Sequence, residues 1–353
     1  MSKIYESPVC IAVLNPKGRD PFLDYSDGPA AFREGEHAPV NFHAYAAATF
    51  GAFFDSTDEV LKSAARFDAV VVLIRRRTWI TLEAVRRLKN AGLTVFVAWK
   101  ECGHTQITNQ LYKVKALLAY EEIIQLADRI ITPTLAHPPR CGPIGHREFW
   151  DKVIFVPTPY PVDYPEWDFS TEVNDRSGIM IGTREFKTLA RNHIHALSRG
   201  SSLAHELNLN HVTVINSDKK MGMTKLREVE KSFPKGCLRI IDNPLSYPDY
   251  MDLLSSHRLV FQMDRSGVPG QVAGDCLLAR TLCAGGNSSI EQIAFSNICD
   301  DGSLHINRVF DEIRNVLSDD EAYCSAVEDA QQIATSVLSF EAVASEFGNM
   351  LRS

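Results

Sequence analysis

The sequence predicts an α/β protein of two domains, each with a parallel β-sheet covered by helices. The chain has 353 residues, more than one ordinary hydrophobic core holds, which fits two domains of about 170 residues each. Strand-like and helix-like patterns alternate along the first half, as connections between parallel strands require. The proline-rich run 157–165 suits neither a helix nor a central strand and marks a linker. The predicted domains are therefore 1–165 and 166–353.

Composition and charge are those of a soluble globular protein, with 45% hydrophobic residues, 23% charged residues and a net charge of −7. The negative charge argues against a nucleic-acid-binding protein, because phosphates require a concentrated basic face. No apolar run reaches the roughly 18 residues of a membrane span, and the N-terminus has no signal-peptide core, so a cytoplasmic location is expected. Eight cysteines form no CxxC pair, so neither a metal site nor a disulfide framework is expected.

The elements of the first half follow from apolar patterning. Buried strands are predicted at Val9–Leu14, Gly51–Phe54, Ala69–Ile74, Leu93–Trp99, Ala127–Thr134 and Val153–Pro157. Helices are predicted at Phe42–Thr49, at Asp58–Ala65, from a cap at Thr81 to Asn90, and at Lys113–Leu126.

The second half repeats the alternation. Strands are predicted at Ser177–Gly182, His211–Ile215, Leu238–Ile241, Arg258–Gln262 and Thr281–Asn287, with helices after Ser246 and at Gln271–Ala279. From Asn307 to Leu351 the pattern is helical. The turn Gly267–Gly270 lets backbone amides point outward at the start of the helix Gln271–Ala279. Unpaired N–H groups and the helix dipole make that end suitable for an anion such as phosphate.

The segment Leu245–Asn287 resembles the nucleotide-sugar-binding half of a GT-B glycosyltransferase of the family four type. The resemblance lies in Pro269–Val272, in Asp275-Cys276 and in Thr281–Asn287. In addition, Ala127–Thr134 is similar to the strand that closes the acceptor domain of such proteins. The resemblance implies two Rossmann-like domains that face each other across a cleft, with a terminal helix that crosses back to the first domain.

The resemblance also implies roles for residues of the second domain. Asp275 matches the second of two family glutamates and would accept hydrogen bonds from the ribose hydroxyls; otherwise it is a carboxylate near a helix N-terminus. The first glutamate falls on Gly267, and the nearest carboxylate is Asp264, so retention and inversion of anomeric configuration both stay open. Gly270 and Gln271 would present backbone to the phosphates. Asn287 would lie beside the donor, or in an ordinary turn.

Basic residues follow the first strand of the second domain, which ends at Gly182, and open α/β sheets bind ligands at the carboxyl ends of strands. Arg184 and Lys187 resemble the family's paired basic residues, which take up the charge of the leaving diphosphate and so act in catalysis. The alternative is a pair of surface charges, with Arg184 partly paired to Glu185.

In the first domain, Glu101 and His104 follow a predicted strand and are the candidate catalytic residues. His104 would contact the sugar or take the acceptor proton, because its ordinary pKa lies near working pH, and Glu101 competes as the base. The alternative is a loop histidine without a role. Asn15–Gly18 stands where the family commonly has a glycine-rich loop.

The predicted function is therefore transfer of a sugar from a nucleotide diphosphate sugar to a hydroxyl acceptor, as a hexosyltransferase-type enzyme. The donor is a substrate, and no cofactor or metal is expected. The acceptor is a glycan, a lipid-linked or a small molecule. The run Arg75–Arg77 would line an anionic acceptor or a peripheral membrane contact, or be a solvated strand end.

Other readings of the same pattern stay open. They are another GT-B activity, an epimerase or a pseudo-glycosyltransferase coupling, and an inactive partner subunit. A dinucleotide oxidoreductase is disfavoured because the first strand is not followed by GxGxxG. The sequence does not indicate an oligomeric state.

Overall fold

The computed structural model describes residues 7–28, 37–300 and 306–352. They form two compact units. Unit 1 comprises the described residues of Met1–Phe32, Ala38–Tyr164 and Ser336–Ser353. Unit 2 comprises those of Arg33–His37 and Pro165–Thr335.

The strands, numbered along the chain, are β1 Ile11–Leu14, β2 Leu23–Asp24, β3 Ala52–Phe54, β4 Ala69–Ile74, β5 Val95–Trp99, β6 Arg129–Thr132, β7 Val153–Phe155, β8 Ile179–Ile181, β9 Val212–Ile215, β10 Leu238–Ile241, β11 Leu259–Phe261 and β12 Leu282–Ala284. The α-helices are α1 Phe42–Ala48, α2 Thr57–Lys62, α3 Thr78–Asn90, α4 His104–Gln110, α5 Val114–Leu126, α6 His146–Lys152, α7 His193–Glu206, α8 Lys219–Glu230, α9 Tyr247–Ser255, α10 Gln271–Leu278, α11 Ser289–Ala294, α12 Ile306–Leu317, α13 Asp320–Val337 and α14 Phe340–Arg352.

Unit 1 is built on a sheet with the strand order β2-β3-β1-β4-β5-β6-β7, parallel except for β2. Strand β4 is buried along its whole length, because helices cover both faces of the sheet. Its alternate side chains enter two separate cores. Val70 and Val72 pack with the side chains of α3 and α5, and Val71 and Leu73 pack with those of α1 and α14.

The last helix of the chain, α14, belongs to unit 1 and packs against α1. Phe347 of α14 is fully buried, with its ring centroid 5.8 Å from that of Tyr45 and 6.3 Å from that of Phe96. The chain returns to this unit through backbone contacts in which the Tyr160 N–H donates to the Leu338 carbonyl. The expected return of the terminal helix to the first half of the chain is confirmed.

Unit 2 is built on a five-stranded sheet with the order β10-β9-β8-β11-β12, in which all strand pairs are parallel. The chain proceeds outward from β8 to β10 and then crosses to β11 on the other side of β8. The carboxyl ends of β8 and β11 therefore form the point at which the strand order reverses. Open α/β sheets bind ligands at such a point.

The helix that was expected to start at a Thr81 cap instead starts three residues earlier, at Thr78. The Thr81 hydroxyl donates to the Leu73 carbonyl at 3.1 Å, and the Thr78 hydroxyl donates to the Ala116 carbonyl at 2.8 Å. Both threonines thus tie α3 to neighbouring elements, and neither caps it. By contrast, Ser246 caps α9 as predicted, because its Oγ accepts from the Asp249 N–H.

Within the described residues, no helix is both long and apolar enough to cross a bilayer.

Candidate functional site

Glycine at the end of β8 brings that strand close to α10. The Gly182 N–H donates to the Phe261 carbonyl of β11 at 2.9 Å. A Cβ at Gly182 would lie 3.0 Å from Val272 Cγ1 and 3.2 Å from Gln262 Oε1. A larger residue would therefore press against the first turn of α10, at the reversal point of the sheet.

The turn before α10 requires glycine at its last position. Gly270 has φ 108°, and a Cβ there would lie 2.4 Å from the Ser288 hydroxyl. The carbonyls of Val268 and Pro269 accept hydrogen bonds of 3.0 Å from the first N–H groups of α11, at Ser289 and Ile290. The starts of α10 and α11 are thereby held side by side.

The N-terminus of α10 carries no side-chain cap, and Gln271 is its first residue. The first N–H groups of an α-helix have no acceptor within the helix, and they lie at the positive end of its dipole. In its first turn, α10 has no acidic side chain. This end of α10 is therefore electrostatically favourable for an anion.

Asp275 lies in the second turn of α10 and is 1% exposed. Neither of its carboxylate oxygens makes a hydrogen bond of normal geometry with a described residue. Burial raises the pKa of Asp275 to about 7; the positive charge of Arg184 and the nearby hydroxyls of Tyr250 and Tyr247 lower it by less. Among the described residues, the carboxyl group is thus a buried acceptor without a hydrogen bond of normal geometry.

Arg184 extends toward α9 and α10. Its guanidinium carbon lies 4.6 Å from the centroid of the Tyr250 ring, and its charge acts on Asp275. If Arg184 were only a surface charge, it would be expected to pair with Glu185. Glu185 instead accepts a hydrogen bond of 3.0 Å from the Thr188 hydroxyl. Among the described residues, no carboxylate lies within ion-pair distance of Arg184. Its charge is available to an anion at this edge of unit 2.

Lys187 is placed differently from Arg184. Its Nζ lies 3.2 Å from Asp218 Oδ1, and its side chain is 68% exposed. Asp218 also accepts a 2.7 Å hydrogen bond from the Phe186 N–H. Although burial raises the pKa of Asp218, its hydrogen bonds with Phe186 and Lys187 outweigh this and lower it overall. The carboxylate therefore neutralises Lys187, which would contribute less to an anion than Arg184.

Asn287 and Asp264 both make hydrogen bonds in the loops next to α10. The Asn287 Oδ1 accepts from the Gly267 N–H at 3.1 Å, and the Asn287 N–H donates to the Asp264 carbonyl at 3.0 Å. The buried carboxylate of Asp264 pairs with Arg191 and accepts from the Ser266 N–H and hydroxyl. Asp264 is the carboxylate nearest to Gly267, the position of the first family glutamate. Its oxygens already bind Arg191 and Ser266.

The candidate residues of unit 1 lie after β5. Glu101 is exposed, and α4 starts at His104, whose side chain lies outside the described part of the structure. At the end of β1, the buried Asn15 donates from its amide to Asp20, and Lys100 Nζ donates to the same carboxylate at 2.8 Å. These bonds hold the turn Asn15–Gly18, at the position where family four glycosyltransferases commonly have a glycine-rich loop.

Several residues near Asp275 escaped the sequence analysis. The ring centroids of His37 and Tyr247 lie 4.0 Å apart, and burial followed by the charge of Arg184 lowers the pKa of His37. Tyr247 and Tyr250 fall in a helix that the sequence does predict, and their rings are buried. These two tyrosines could have been found from the sequence, because they are three positions apart and therefore lie on one face of the helix. His37 had no such signal.

A buried arginine holds the other end of α10. Arg176 donates from its guanidinium to the carbonyls of Ala279 and Arg280 at 3.1 and 3.0 Å, and to the carbonyl of Thr171. The last carbonyls of a helix have no donor within it. Arg176 supplies these donors and so fixes the helix that carries Asp275.

Within the described residues, no cluster of three or more His, Cys, Asp or Glu side chains could hold a metal ion.

No known family model and no curated protein matches the sequence. Solved structures do match. A sucrose-phosphate synthase from Thermosynechococcus elongatus is 9% identical over 98% of both chains, with a TM-score of 0.56. An alpha-glucosyltransferase in complex with UDP and a 13-mer DNA is 11% identical over 98% of this chain and 100% of that one, also at 0.56.

A trehalose-phosphate synthase from Burkholderia xenovorans, in complex with glucose-6-phosphate, is 10% identical over 84% of this chain and 75% of that one, with a TM-score of 0.58. At such low identity the likeness establishes the fold. The chain has the GT-B fold with two Rossmann-like domains, as the sequence predicts.

Proposed function

We propose that the protein transfers a sugar, of the hexosyl type, from a nucleoside diphosphate sugar to a hydroxyl acceptor, without a metal or other cofactor. One observation carries this proposal. Among the described residues, a helix start without a side-chain cap, an arginine without a carboxylate partner and a buried carboxylate without a hydrogen bond of normal geometry occur together at the reversal point of the unit 2 sheet. The similarity of Leu245–Asn287 to family four glycosyltransferases supports it. So do structural neighbours that were solved with UDP or with UDP-2-fluoro glucose.

The chemistry requires that the negative charge of the departing diphosphate be stabilised. Donors and dipoles that are already oriented do this best, because they need no reorganisation during the reaction. The N–H groups at Gly270 and Gln271 and the guanidinium of Arg184 would fill this role. Lys187 would assist only after release from Asp218, because that carboxylate now holds it.

Asp275 would recognise the ribose. Its two oxygens lack normal hydrogen bonds, and the two ribose hydroxyls offer the two donors that they need. Because the carboxyl group is only 1% exposed, a side chain covering it must shift when the nucleotide enters. Such rotamer changes are common on ligand binding.

On the acceptor side, we assign removal of the hydroxyl proton to His104 or Glu101. Replacement of the true base lowers kcat by about two to four orders of magnitude, with a smaller effect on donor binding. Separate His104→Gln and Glu101→Gln variants, assayed for kcat and KM, distinguish the two residues. Normal kcat in both variants would refute the assignment.

The decisive experiment screens UDP-, GDP-, ADP- and TDP-sugars by thermal shift and then assays transfer. A ligand at a hundred times its Kd adds about 2.7 kcal/mol to the stability of the folded protein. Arg184→Met and Asp275→Asn should lose most of this stabilisation and the transfer activity. Arg227→Met, which removes an exposed arginine from α8, is the matched control and should behave as wild type.

The outcomes separate the competing functions. If no nucleotide sugar stabilises the protein, or if Arg184→Met and Asp275→Asn both turn over normally, the proposed site is wrong. Product formed from the donor alone would indicate an epimerase. Nucleotide binding without hydrolysis or transfer to any acceptor would indicate an inactive partner subunit.

A further inference from the structure

Unit 1 carries a surface where basic and apolar side chains occur together. We call it the basic-apolar patch. It consists of Arg76, Tyr112, Lys113, Val114, Lys115 and Leu118. The first of these follows β4, and the others lie on the turn before α5 and on the first turns of that helix. None of them belongs to the candidate transfer site.

The fold brings these two segments into contact. Arg76 Nη2 donates to the Tyr112 hydroxyl at 2.7 Å, and its guanidinium carbon lies 5.4 Å from the centroid of that ring. Lys115 Nζ lies 4.5 Å from the ring of Trp79 in α3. Helices α3 and α5 pack along each other, so the patch rests on a rigid base.

The apolar members of the patch are strongly exposed. Val114 is 73% exposed, and Tyr112 and Leu118 are each 57% exposed. Val114 and Leu118 are four residues apart in α5 and therefore lie on one face of the helix. The described residues include nine exposed large hydrophobic side chains, and three of these lie within the seven residues 112–118. Such clustering on a surface indicates an interaction site.

Within the part of the chain that the structure describes, the positive charges of the patch have no carboxylate partner. In the described residues, no carboxylate oxygen lies within 4.0 Å of a cationic nitrogen of Arg76, Lys113 or Lys115, and the same holds for the neighbouring Arg77. By contrast, Arg86 on the same helix pair forms a 2.6 Å ion pair with Glu122. The patch is thus a local positive surface on a chain whose net charge is −7.

We propose that the basic-apolar patch binds the surface of an anionic lipid bilayer. Cations attract the lipid headgroups, and exposed aliphatic side chains between them enter the boundary with the acyl chains. A soluble phosphate or a nucleic acid would use the cations but leaves Val114 and Leu118 in water. The combination therefore favours a lipid surface. This inference goes beyond the proposed sugar transfer and does not depend on it.

The test is sedimentation of the full-length protein with vesicles. Wild type should bind vesicles of phosphatidylcholine mixed with phosphatidylglycerol, bind pure phosphatidylcholine far less, and dissociate as salt is added. Each cation near an anionic surface contributes about a fivefold factor in affinity. A Lys113→Ala, Lys115→Ala double variant should therefore bind about 25-fold more weakly.

A second variant separates insertion from simple attraction between charges. Val114→Ser with Leu118→Ser keeps every charge of the patch and should weaken binding about tenfold, because apolar burial is lost. A Lys231→Ala, Lys235→Ala variant makes the same charge change on unit 2, at exposed sites, and should bind as wild type. Far-ultraviolet circular dichroism and thermal melts establish that each variant is folded.

Several results would overturn the proposal. They are failure of wild type to bind the mixed vesicles, equal binding of wild type and the lysine double variant, and unchanged binding of the serine variant. Stronger binding to single-stranded DNA than to mixed vesicles, or displacement from vesicles by millimolar inorganic phosphate at constant ionic strength, would assign the cations to a soluble anion.

Discussion

Asp275 is the residue whose environment differs most from that of an ordinary helix carboxylate. The sequence left two roles open, a ribose ligand and a side chain near the helix dipole. In the structure the carboxyl group is buried beside two tyrosine rings, and burial dominates its pKa. A buried acid with a raised pKa stabilises the fold less than a neutral residue would. Its presence at this position therefore favours a functional role.

Asp275→Asn should make the folded protein more stable at neutral pH. The pKa is raised from 3.8 to about 7, so the unfolded chain loses this proton first as the pH rises. The free energy of unfolding therefore falls between about pH 4 and pH 7. The neutral isostere removes this loss, and the gain at pH 8 should be on the order of a few kcal/mol.

Urea unfolding of both proteins at pH 4 and pH 8 measures this difference. The gain from Asp275→Asn should be much smaller at pH 4, because the native state then carries the proton and the unfolded chain, with a pKa of 3.8, has only begun to lose it. Asp252→Asn, at an exposed carboxylate of α9, is the control and should show no such pH dependence. A destabilisation by Asp275→Asn that is equal at the two pH values contradicts the prediction.

Binding of the nucleotide sugar should become tighter as the pH rises to about 7. Ribose hydroxyls donate to the ionised carboxylate, so below that pH a proton must leave Asp275 on binding. The affinity should change by up to about tenfold per pH unit there and level off above. Calorimetry with UDP-glucose, or with the best donor of the screen, in buffers of different ionisation enthalpy measures the released proton. No proton release near pH 6 would argue against contact with Asp275.

At the scale of elements, α10 is positioned at both ends by residues outside it. Its start is held beside α11 through Gly270 and the carbonyls of Val268 and Pro269. Its end is held by Arg176. The helix has only eight residues, too few to be stable alone, so its position is a property of these contacts.

Gly270→Ala should disturb the start of α10 more than Gly267→Ala. Both glycines have positive φ, 108° and 59°, but only a Cβ at Gly270 meets an atom, the Ser288 hydroxyl at 2.4 Å. Gly267→Ala should cost about 1 kcal/mol from backbone strain alone. Gly270→Ala should cost clearly more and should also weaken binding of the donor.

Chemical denaturation and thermal shift with the donor measure the two effects of these variants. Equal stability losses would mean that the contact with Ser288 does not hold the turn. A Gly270→Ala protein that binds the donor normally would mean that the start of α10 does not contact the phosphates.

At the scale of the whole molecule, the last helix completes the core of unit 1. Residues of α14 lie more than 290 positions after α1 in the sequence, yet Phe347 packs between Tyr45 and Phe96. One face of the unit 1 sheet is therefore covered by α1 and α14 together. Unit 1 therefore cannot form its complete core before α14 has been synthesised.

Phe347→Ala should lower the stability of unit 1 by about 3–5 kcal/mol, because a fully buried phenylalanine leaves a cavity. Hydrogen exchange should show the loss in α1 and the unit 1 strands, while protection of β8 to β12 stays close to wild type. Ser345→Ala, on the exposed side of α14, is the control and should change stability little. A loss below about 1 kcal/mol would contradict the assigned packing.

The sequence by itself determined most of the strands, several of the helices and, through the resemblance of Leu245–Asn287, the GT-B fold. Buried parallel strands and amphipathic helices have local apolar periods, so β4 and the helical end of the chain were predicted from short windows. The uncapped glycine turn before α10 could also be predicted, since Gly267-Val-Pro-Gly270 carries its own backbone preference.

Only the tertiary structure decided which candidate residues are free to act. Arg184 and Lys187 are three positions apart and look equivalent in the sequence, but Asp218 holds Lys187, whereas Arg184 lies over Tyr250. Burial of Asp275 likewise depends on α9, whose tyrosines lie 25 or more positions earlier. Charge pairing and burial depend on partners that are distant in sequence, and a local pattern holds no information about them.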